Sequence, residues 1–257
     1  MKIAVLVKQV PDTEEERSLD PVSGVVDRAS GENVADEITE RALEVALGYK
    51  DQNKGTEVVV LSMGPDSATK ALRKALSMGA DSAVHIQDDS LAGSDLGQTS
   101  AVLAAALARV GFDLVLAGNE STDGRGGVVP AMVSEHLRLP HLGSLSSVDI
   151  APDSVRGERR TEHAAMSVAA ALPAIASVTE HAAEARFPTF KGIMGAKRKP
   201  LTVLSLGELG LDPGAPRGRS AVLTTRERPA RQAGTKIVDE GDAGRQLAEF
   251  LAAGKLV

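Results

Sequence analysis

The sequence predicts an α/β fold, a doubly wound and mostly parallel sheet with a C-terminal arm. Short, continuous apolar runs recur along the first half of the chain, and a stretch of helical periodicity follows most of them. Runs without polar alternation are typical of parallel strands covered by helices on both faces. At 257 residues and 42% hydrophobic composition, the chain is long enough to bury a substantial core.

The first strand is predicted from Ile3 to Val7, and residues 11–35 form a long irregular excursion. A helix follows within residues 35–51, and a second strand runs from Glu57 to Ser62. Apolar residues recur in the helix at three- and four-residue steps: Ile38, Ala42, Leu43, Val45, Ala46 and Tyr49.

The stretch GPDSATKALRKALSMGADSAVHI predicts a turn, a helix, a glycine stop and a strand. We expect Asp66 or Ser67 to cap this helix and Gly79 to end it. The same pattern then predicts a helix over residues 95–110, a strand from Leu114 to Ala117 and a helix from Val128 to Leu137. In such sheets, ligands bind at the carboxyl ends of the strands.

Shorter strands are predicted after Pro140, at residues 144–150, 154–160, 163–169 and 174–178. We expect some of them to be antiparallel and to extend the sheet. The predicted domains are an α/β domain at residues 1–204 and an arm at residues 205–257, which contains DPGAPRGRS and a terminal helix with Leu247, Phe250 and Leu251. The arm is expected to pack on another chain or, as the commoner alternative, on its own domain.

Composition excludes several classes of function. A net charge of −6 argues against nucleic-acid or anionic-membrane binding by the whole surface, and the absence of cysteine excludes disulfides and thiolate sites. The five histidines show no zinc-binding spacing. The N-terminal apolar run is too short and too charged for a signal peptide or membrane span, so we expect a cytoplasmic protein with no direct membrane insertion, no metal site and no catalytic residues.

A glycine-rich turn in DLVLAGNESTDGRGGVVPAMVSEHL joins a predicted strand to a predicted helix. Glycines let backbone N–H groups approach an anion, and the first turn of a helix adds unpaired donors. The turn therefore suits a phosphate, although a turn without a ligand explains the pattern equally well. The Walker-type pattern GxxxxGK[ST] does not occur.

The segment RFPTFKGIMGAKRKP places Phe187 and Phe190 among basic residues, in a chain with only four phenylalanines. Phe190, Ile193 and Met194 lie at i, i+3 and i+4, so they form either the core face of one helical turn or an exposed docking patch. In the second interpretation basic residues surround the patch: Lys191, Lys197, Arg198 and Lys199.

Six motifs occur in the order KQVPDT, SMGPDSATKALRKALSMGAD, LAGNESTDGRGGVVPA, RFPTFKGIMGAKRKP, LGELGL and RQAGTKIV. Together they extend over almost the whole chain, which closely resembles the β subunit of electron transfer flavoprotein. The resemblance implies an adenine-nucleotide α-hydrolase-like fold and a heterodimer with an α subunit, on which the arm packs. The α subunit makes most of the contacts to FAD, and β is an electron-carrier subunit and not an enzyme.

The resemblance further implies that β binds AMP and docks acyl-CoA and related dehydrogenases through residues 186–200. Electrons then pass through FAD toward a membrane-bound quinone oxidoreductase. The implied nucleotide residues are Leu6, Asn33, Val34, Ala35, Asp36, Met63, Gly118, Asn119, Glu120, Ser121, Thr122, Asp123, Gly124, Arg125, Gly126, Gly127, Val128 and Val129. The implied docking residues are Phe187, Phe190, Lys191, Ile193, Met194, Lys197 and Arg198, with Phe190 as the anchor.

The chain departs from the family pattern in three places. Ala183, Glu184 and Ala185 replace the Asn-Glu-Pro that often precedes Arg186, which predicts a less rigid entry to the docking segment. Arg160 replaces a glutamate that can pair with the α subunit, and Arg125 replaces an acidic residue. Two alternatives stay open: a bifurcating type whose β subunit binds a second FAD in place of AMP, and a stand-alone adenine-nucleotide-binding module.

Overall fold

The computed structural model describes residues 1–15, 17–213, 220, 222–226, 229–230 and 233–256. The chain divides into two compact units, Met1–Leu223 and Thr224–Val257. The described part of the chain contains twelve strands and six α-helices. The strands are β1 (Lys2–Leu6), β2 (Gln9–Pro11), β3 (Asn33–Ala35), β4 (Glu57–Met63), β5 (Ser82–Ile86), β6 (Leu114–Gly118), β7 (His141–Leu145), β8 (Ser147–Ile150), β9 (Ser154–Arg160), β10 (Ala165–Ala171), β11 (Ala174–Val178) and β12 (Leu201–Leu204). The helices are α1 (Glu37–Gln52), α2 (Thr69–Met78), α3 (Leu96–Val110), α4 (Val129–Leu137), α5 (Phe190–Ala196) and α6 (Ala243–Ala253).

The central sheet has seven strands in the order β12-β5-β4-β1-β6-β11-β7, and all its neighbouring pairs are parallel. One core cluster joins α1 and α2 to one face of this sheet, and a second joins α3 and α4 to the other face. The prediction of a doubly wound parallel sheet is therefore confirmed. The chain builds outward in both directions from β1, so the crevice at the carboxyl ends of β1 and β6 is the topological switch point.

The antiparallel strands do not extend this sheet. Of the strands predicted after Pro140, β11 does join the central sheet, as does β7, which overlaps the start of the strand predicted at residues 144–150. Strands β8, β9 and β10 form a separate three-stranded sheet, so for them the expectation is wrong. The reason lies in their side chains, because Val155 is the one fully buried residue of these three strands, whereas all of β11 is buried. A strand inside a doubly covered sheet must be apolar on both faces.

The predicted cap of α2 is also wrong. Asp66–Ala68 form a 3-10 turn that leads into α2 without a side-chain cap. The Ser67 hydroxyl instead donates to Oε1 of Gln9 at 3.0 Å, and the Gln9 amide donates to the Ser67 carbonyl at 2.8 Å. Gly79 ends α2 as predicted.

The second unit contains the predicted terminal helix, α6. Leu247 and Phe250 on this helix are exposed by about half. Much of the DPGAPRGRS stretch, at residues 214–219, and the first two residues of the RQAGTKIV motif, at residues 231–232, lie outside the described residues.

Candidate nucleotide site and docking segment

The glycine loop, residues 118–129, leaves β6 at the switch-point edge of the sheet and leads into α4. A Cβ on Gly118, at its start, would lie 3.0 Å from Cγ2 of Ile38 and 3.2 Å from the Glu120 carbonyl oxygen, which is closer than ordinary van der Waals contact. The loop therefore begins where α1 and β6 are in close contact, a geometry that favours glycine.

The end of the glycine loop presents free backbone donors. Residues 124–128 are exposed, and Val128, which precedes α4, provides no side-chain cap. Among the described residues, no hydrogen bond is donated by the N–H groups of Gly126, Gly127 or Val128. Unpaired amides at the N-terminus of a nine-residue helix form a suitable site for an anion.

Asp36 joins the glycine loop to α1. Its side chain is fully buried, and Oδ1 accepts from the Ile38 N–H at 3.0 Å as the cap of α1. Oδ2 accepts from the N–H and the hydroxyl of Thr122, at 2.7 and 2.9 Å. One carboxylate thus fixes both the helix start and the middle of the loop.

Asp123 is the second buried carboxylate of the loop, with only 2% of its side chain exposed. It pairs with Lys8 at 2.8 Å and with Arg28 at 2.6 Å. Burial raises the pKa of Asp123, but hydrogen bonds from Lys8, Ser121 and Arg28, together with the charge of Lys8, hold that pKa well below its usual range. The carboxylate is therefore ionised at neutral pH.

The excursion supplies the cations that hold the loop. Arg28 reaches Asp123, and the Arg17 guanidinium donates to the carbonyl and hydroxyl oxygens of Thr122 and to the Pro11 carbonyl. Sequence reasoning missed Lys8, Arg17 and Arg28, because about a hundred positions separate each of them from its partner and no local spacing indicates the contact.

The remaining predicted nucleotide residues gather at the same edge of the sheet. Leu6 ends β1, Met63 ends β4, and residues 33–35 form β3, which pairs with β2 just beyond β1. Three buried oxygens near these strand ends have no hydrogen-bond partner within the described residues: Oδ1 of Asn33, Oγ of Ser62 and Oδ1 of Asn119. Such oxygens can accept from amino or hydroxyl groups, so the residues present fit an adenine nucleotide.

The apolar side chains of the docking segment, residues 186–200, point into solvent. Phe187 is 92% exposed and Phe190 81%, and Ile193 and Met194 are exposed by half or more. The interpretation of Phe190, Ile193 and Met194 as a core face is therefore wrong. The inward side of α5 is formed by small residues, since Ala196 is buried and a Cβ on Gly192 would lie 2.2 Å from the Ser77 carbonyl oxygen of α2.

Three basic residues are exposed around these apolar side chains: Lys191, Lys197 and Arg198. Lys199, the fourth basic residue expected there, is partly buried and is not one of them. The Lys199 ammonium donates to the carbonyls of Leu76 and Ala80, at 2.9 and 2.6 Å. Burial lowers the pKa of Lys199. The expectation that Lys199 surrounds the patch is wrong, because the residue holds the end of α2 instead.

The entry to the docking segment is attached to α1. Arg41 donates to the Ala183 carbonyl at 2.6 Å, and Arg186 pairs with Glu44 and Asp51. The hydrogen bonds that the Arg186 guanidinium donates to Glu44 raise the pKa of Arg186, as does its pair with Asp51. In the antiparallel sheet, Arg160 pairs with Glu158 at 2.6 Å on an exposed surface.

No group of three or more histidine, cysteine, aspartate or glutamate side chains suited to a metal occurs among the residues that the structure describes. The same part of the chain has no helix that is both long and apolar enough to cross a bilayer.

Comparison with known proteins identifies the family. The electron transfer flavoprotein domain matches residues 23–209. The chain is 48% identical to the electron transfer flavoprotein subunit beta of Mycobacterium leprae, over 99% of both chains. It is 32% identical to the subunit beta of Megasphaera elsdenii over the full length of both chains, and 35% identical to a caffeyl-CoA reductase-Etf complex subunit of Acetobacterium woodii over 84% of this chain and 82% of that one. The chain therefore belongs to the electron transfer flavoprotein family as a β subunit, an electron carrier and not an enzyme.

Proposed function

We propose that this chain pairs with an α subunit, on which the arm at residues 205–257 packs, to carry electrons from acyl-CoA and related dehydrogenases to a membrane quinone oxidoreductase. The α subunit makes most of the contacts to FAD, which supplies the redox chemistry when bound. The β subunit makes and breaks no bonds and acts in the cytoplasm. Its two tasks are to hold AMP and to dock the dehydrogenase.

The glycine loop supports the first task. The free N–H groups at residues 126–128 and the start of α4 would hold the phosphate of AMP, and the buried oxygens of Asn33 and Asn119 would accept from its amino and hydroxyl groups. Asp36 and Asp123 act indirectly, because their hydrogen bonds and ion pairs keep the loop in place.

The observation that carries the proposal is the exposure of the docking patch, defined as the side chains of Phe187, Phe190, Ile193 and Met194. Exposed aromatic and aliphatic side chains on a fixed base are typical of hot spots that enter a pocket on a partner. The three exposed cations beside them, Lys191, Lys197 and Arg198, favour a partner surface with acidic groups.

The test is Phe190→Ala in the co-expressed heterodimer, assayed with an acyl-CoA dehydrogenase of the same organism and its acyl-CoA. We expect the half-saturating concentration of the heterodimer to rise by roughly tenfold, because an interface anchor is lost. The FAD and AMP contents stay unchanged. Val22→Ala is the matched control, since Val22 is also exposed and apolar but lies on the excursion. An unchanged half-saturating concentration in Phe190→Ala contradicts the docking assignment.

A further inference from the structure

We propose that Arg186 is a positioning residue that sets the direction of the docking patch. The inference rests on the docking function proposed above. Arg186 directly precedes Phe187, and its guanidinium bonds both carboxylate oxygens of Glu44 on α1, at 2.7 and 2.8 Å. The pair therefore fixes the backbone at the residue that directly precedes the docking patch.

The geometry is that of a bidentate pair with additional support. The Arg186 backbone N–H also donates to Glu44, at 3.2 Å, and the guanidinium donates to Asp51 at 2.8 Å. Arg186 and Glu44 are both partly buried, with 33% and 16% of their side chains exposed. Two parallel bonds between planar groups fix orientation as well as distance, which a lysine cannot reproduce.

The other end of the segment is fixed independently on α2. The Arg73 guanidinium donates to the carbonyls of Ala196 and Lys199, at 2.8 and 3.2 Å. Gly192 lies directly against the Ser77 carbonyl. The apolar side chains of the patch therefore project from a short segment attached to two helices of the central domain.

This arrangement lowers the conformational entropy lost on docking, because the patch is ordered before the partner arrives. If the bonds of Arg186 to Glu44 and Asp51 are removed, residues 187–189 lose their attachment to α1 while α5 keeps its attachment to α2. The expected defect lies in the capture of the dehydrogenase and not in electron transfer after capture.

The experiment compares Arg186→Gln, Arg186→Lys, Glu44→Gln and Phe190→Ala heterodimers in the dehydrogenase assay. We expect Arg186→Gln and Glu44→Gln to raise the half-saturating concentration by roughly fivefold with an unchanged maximal rate, and Arg186→Lys to rescue it only in part. In the Phe190→Ala background, Arg186→Gln adds no further increase, since both changes affect the same contact. Arg109→Gln is the control, because Arg109 also donates across elements, to the Glu208 carbonyl at 2.9 Å, but lies on the other face of the sheet.

Hydrogen exchange of the intact heterodimer gives a second measurement. The amides of Gly192 and Ile193 donate to Thr189, so they exchange faster in Arg186→Gln and Arg186→Lys but not in Arg109→Gln. Additive effects of Arg186→Gln and Phe190→Ala, or unchanged exchange in the segment, overturn the positioning role. If the half-saturating concentration rises in Phe190→Ala but not in Arg186→Gln, only the positioning role of Arg186 is overturned. If it does not rise in Phe190→Ala, the docking function is overturned, and the positioning role with it.

Discussion

At the scale of single residues, Asp123 is the buried charge on which the glycine loop depends. Asp123→Asn leaves Lys8 and Arg28 without their shared carboxylate, and we expect the free energy of unfolding to fall by roughly 3 kcal/mol at pH 7. Because the pKa of Asp123 is lower in the folded than in the unfolded chain, its contribution is full above about pH 4. It declines below that pH and is lost as the pH falls through the folded pKa.

Thermal unfolding midpoints of the two heterodimers at pH 7 and pH 3.5 check this prediction. The difference between Asp123→Asn and the parent should shrink at the lower pH. Asp149→Asn is the control, because its pair with Arg156 is exposed on both sides and contributes little. If Asp123→Asn and Asp149→Asn lower the unfolding midpoint equally, the buried ion pairs of Asp123 stabilise the fold no more than the exposed pair of Asp149.

The residue scale also shows what the sequence can and cannot predict about the site. The glycines and the following helix locate the loop, because strand-to-helix turns of this composition are local features. The cations Lys8, Arg17 and Arg28 are missed, because their partners are brought together only by the fold. Lys199 is misplaced for the same reason, since adjacent basic residues look alike until one of them meets the carbonyls at the end of α2.

At the scale of elements, we expect alanine substitutions at the two glycines of α5 to have different effects. Gly192→Ala places a Cβ against the Ser77 carbonyl and must move α5 away from α2, whereas Gly195→Ala meets no atom within 4 Å. We expect Gly192→Ala to speed hydrogen exchange in α5 and to raise the half-saturating concentration of the heterodimer. Gly195→Ala should leave both unchanged or stabilise the helix by up to about 1 kcal/mol. If the two variants behave alike, the close contact between α5 and α2 is not maintained in solution.

Elements differ in how well the sequence predicts them. The strands of the central sheet are recognisable because burial on both faces requires continuous apolar runs, as in β1, β4 and β6. The antiparallel strands β8 to β10 can be located from the sequence but not assigned to the right sheet, since pairing partners leave no local pattern. The short pair of β2 and β3 escapes sequence prediction because three-residue strands carry too little periodicity.

At the scale of the whole molecule, nucleotide content separates the ordinary carrier from the bifurcating alternative. We expect about one FAD and one AMP per denatured heterodimer, because the glycine loop offers free backbone donors for one phosphate at one helix end. Two FAD without AMP would mean that the β subunit holds a redox centre of its own.

A pair of glycine variants assigns that nucleotide to the loop. Gly127 and Gly111 both have positive φ, 65° and 69°, which disfavours alanine at each position, and at each of them an added Cβ would meet no atom within 4 Å. Gly127→Ala should lower the AMP content while FAD is retained, and Gly111→Ala should retain both. Equal AMP loss in the two variants would place the nucleotide elsewhere.

Helix α1 joins the glycine loop to the proposed docking segment, and this limits where chains of the family can gain or lose residues. Asp36 at its start bonds the glycine loop, and Glu44, two turns later, bonds Arg186. A single inserted residue between them would rotate one carboxylate by about 100° relative to the other and shift it by about 1.5 Å. Insertions and deletions should therefore accumulate in the excursion before α1 and be excluded from the two turns that separate Asp36 from Glu44.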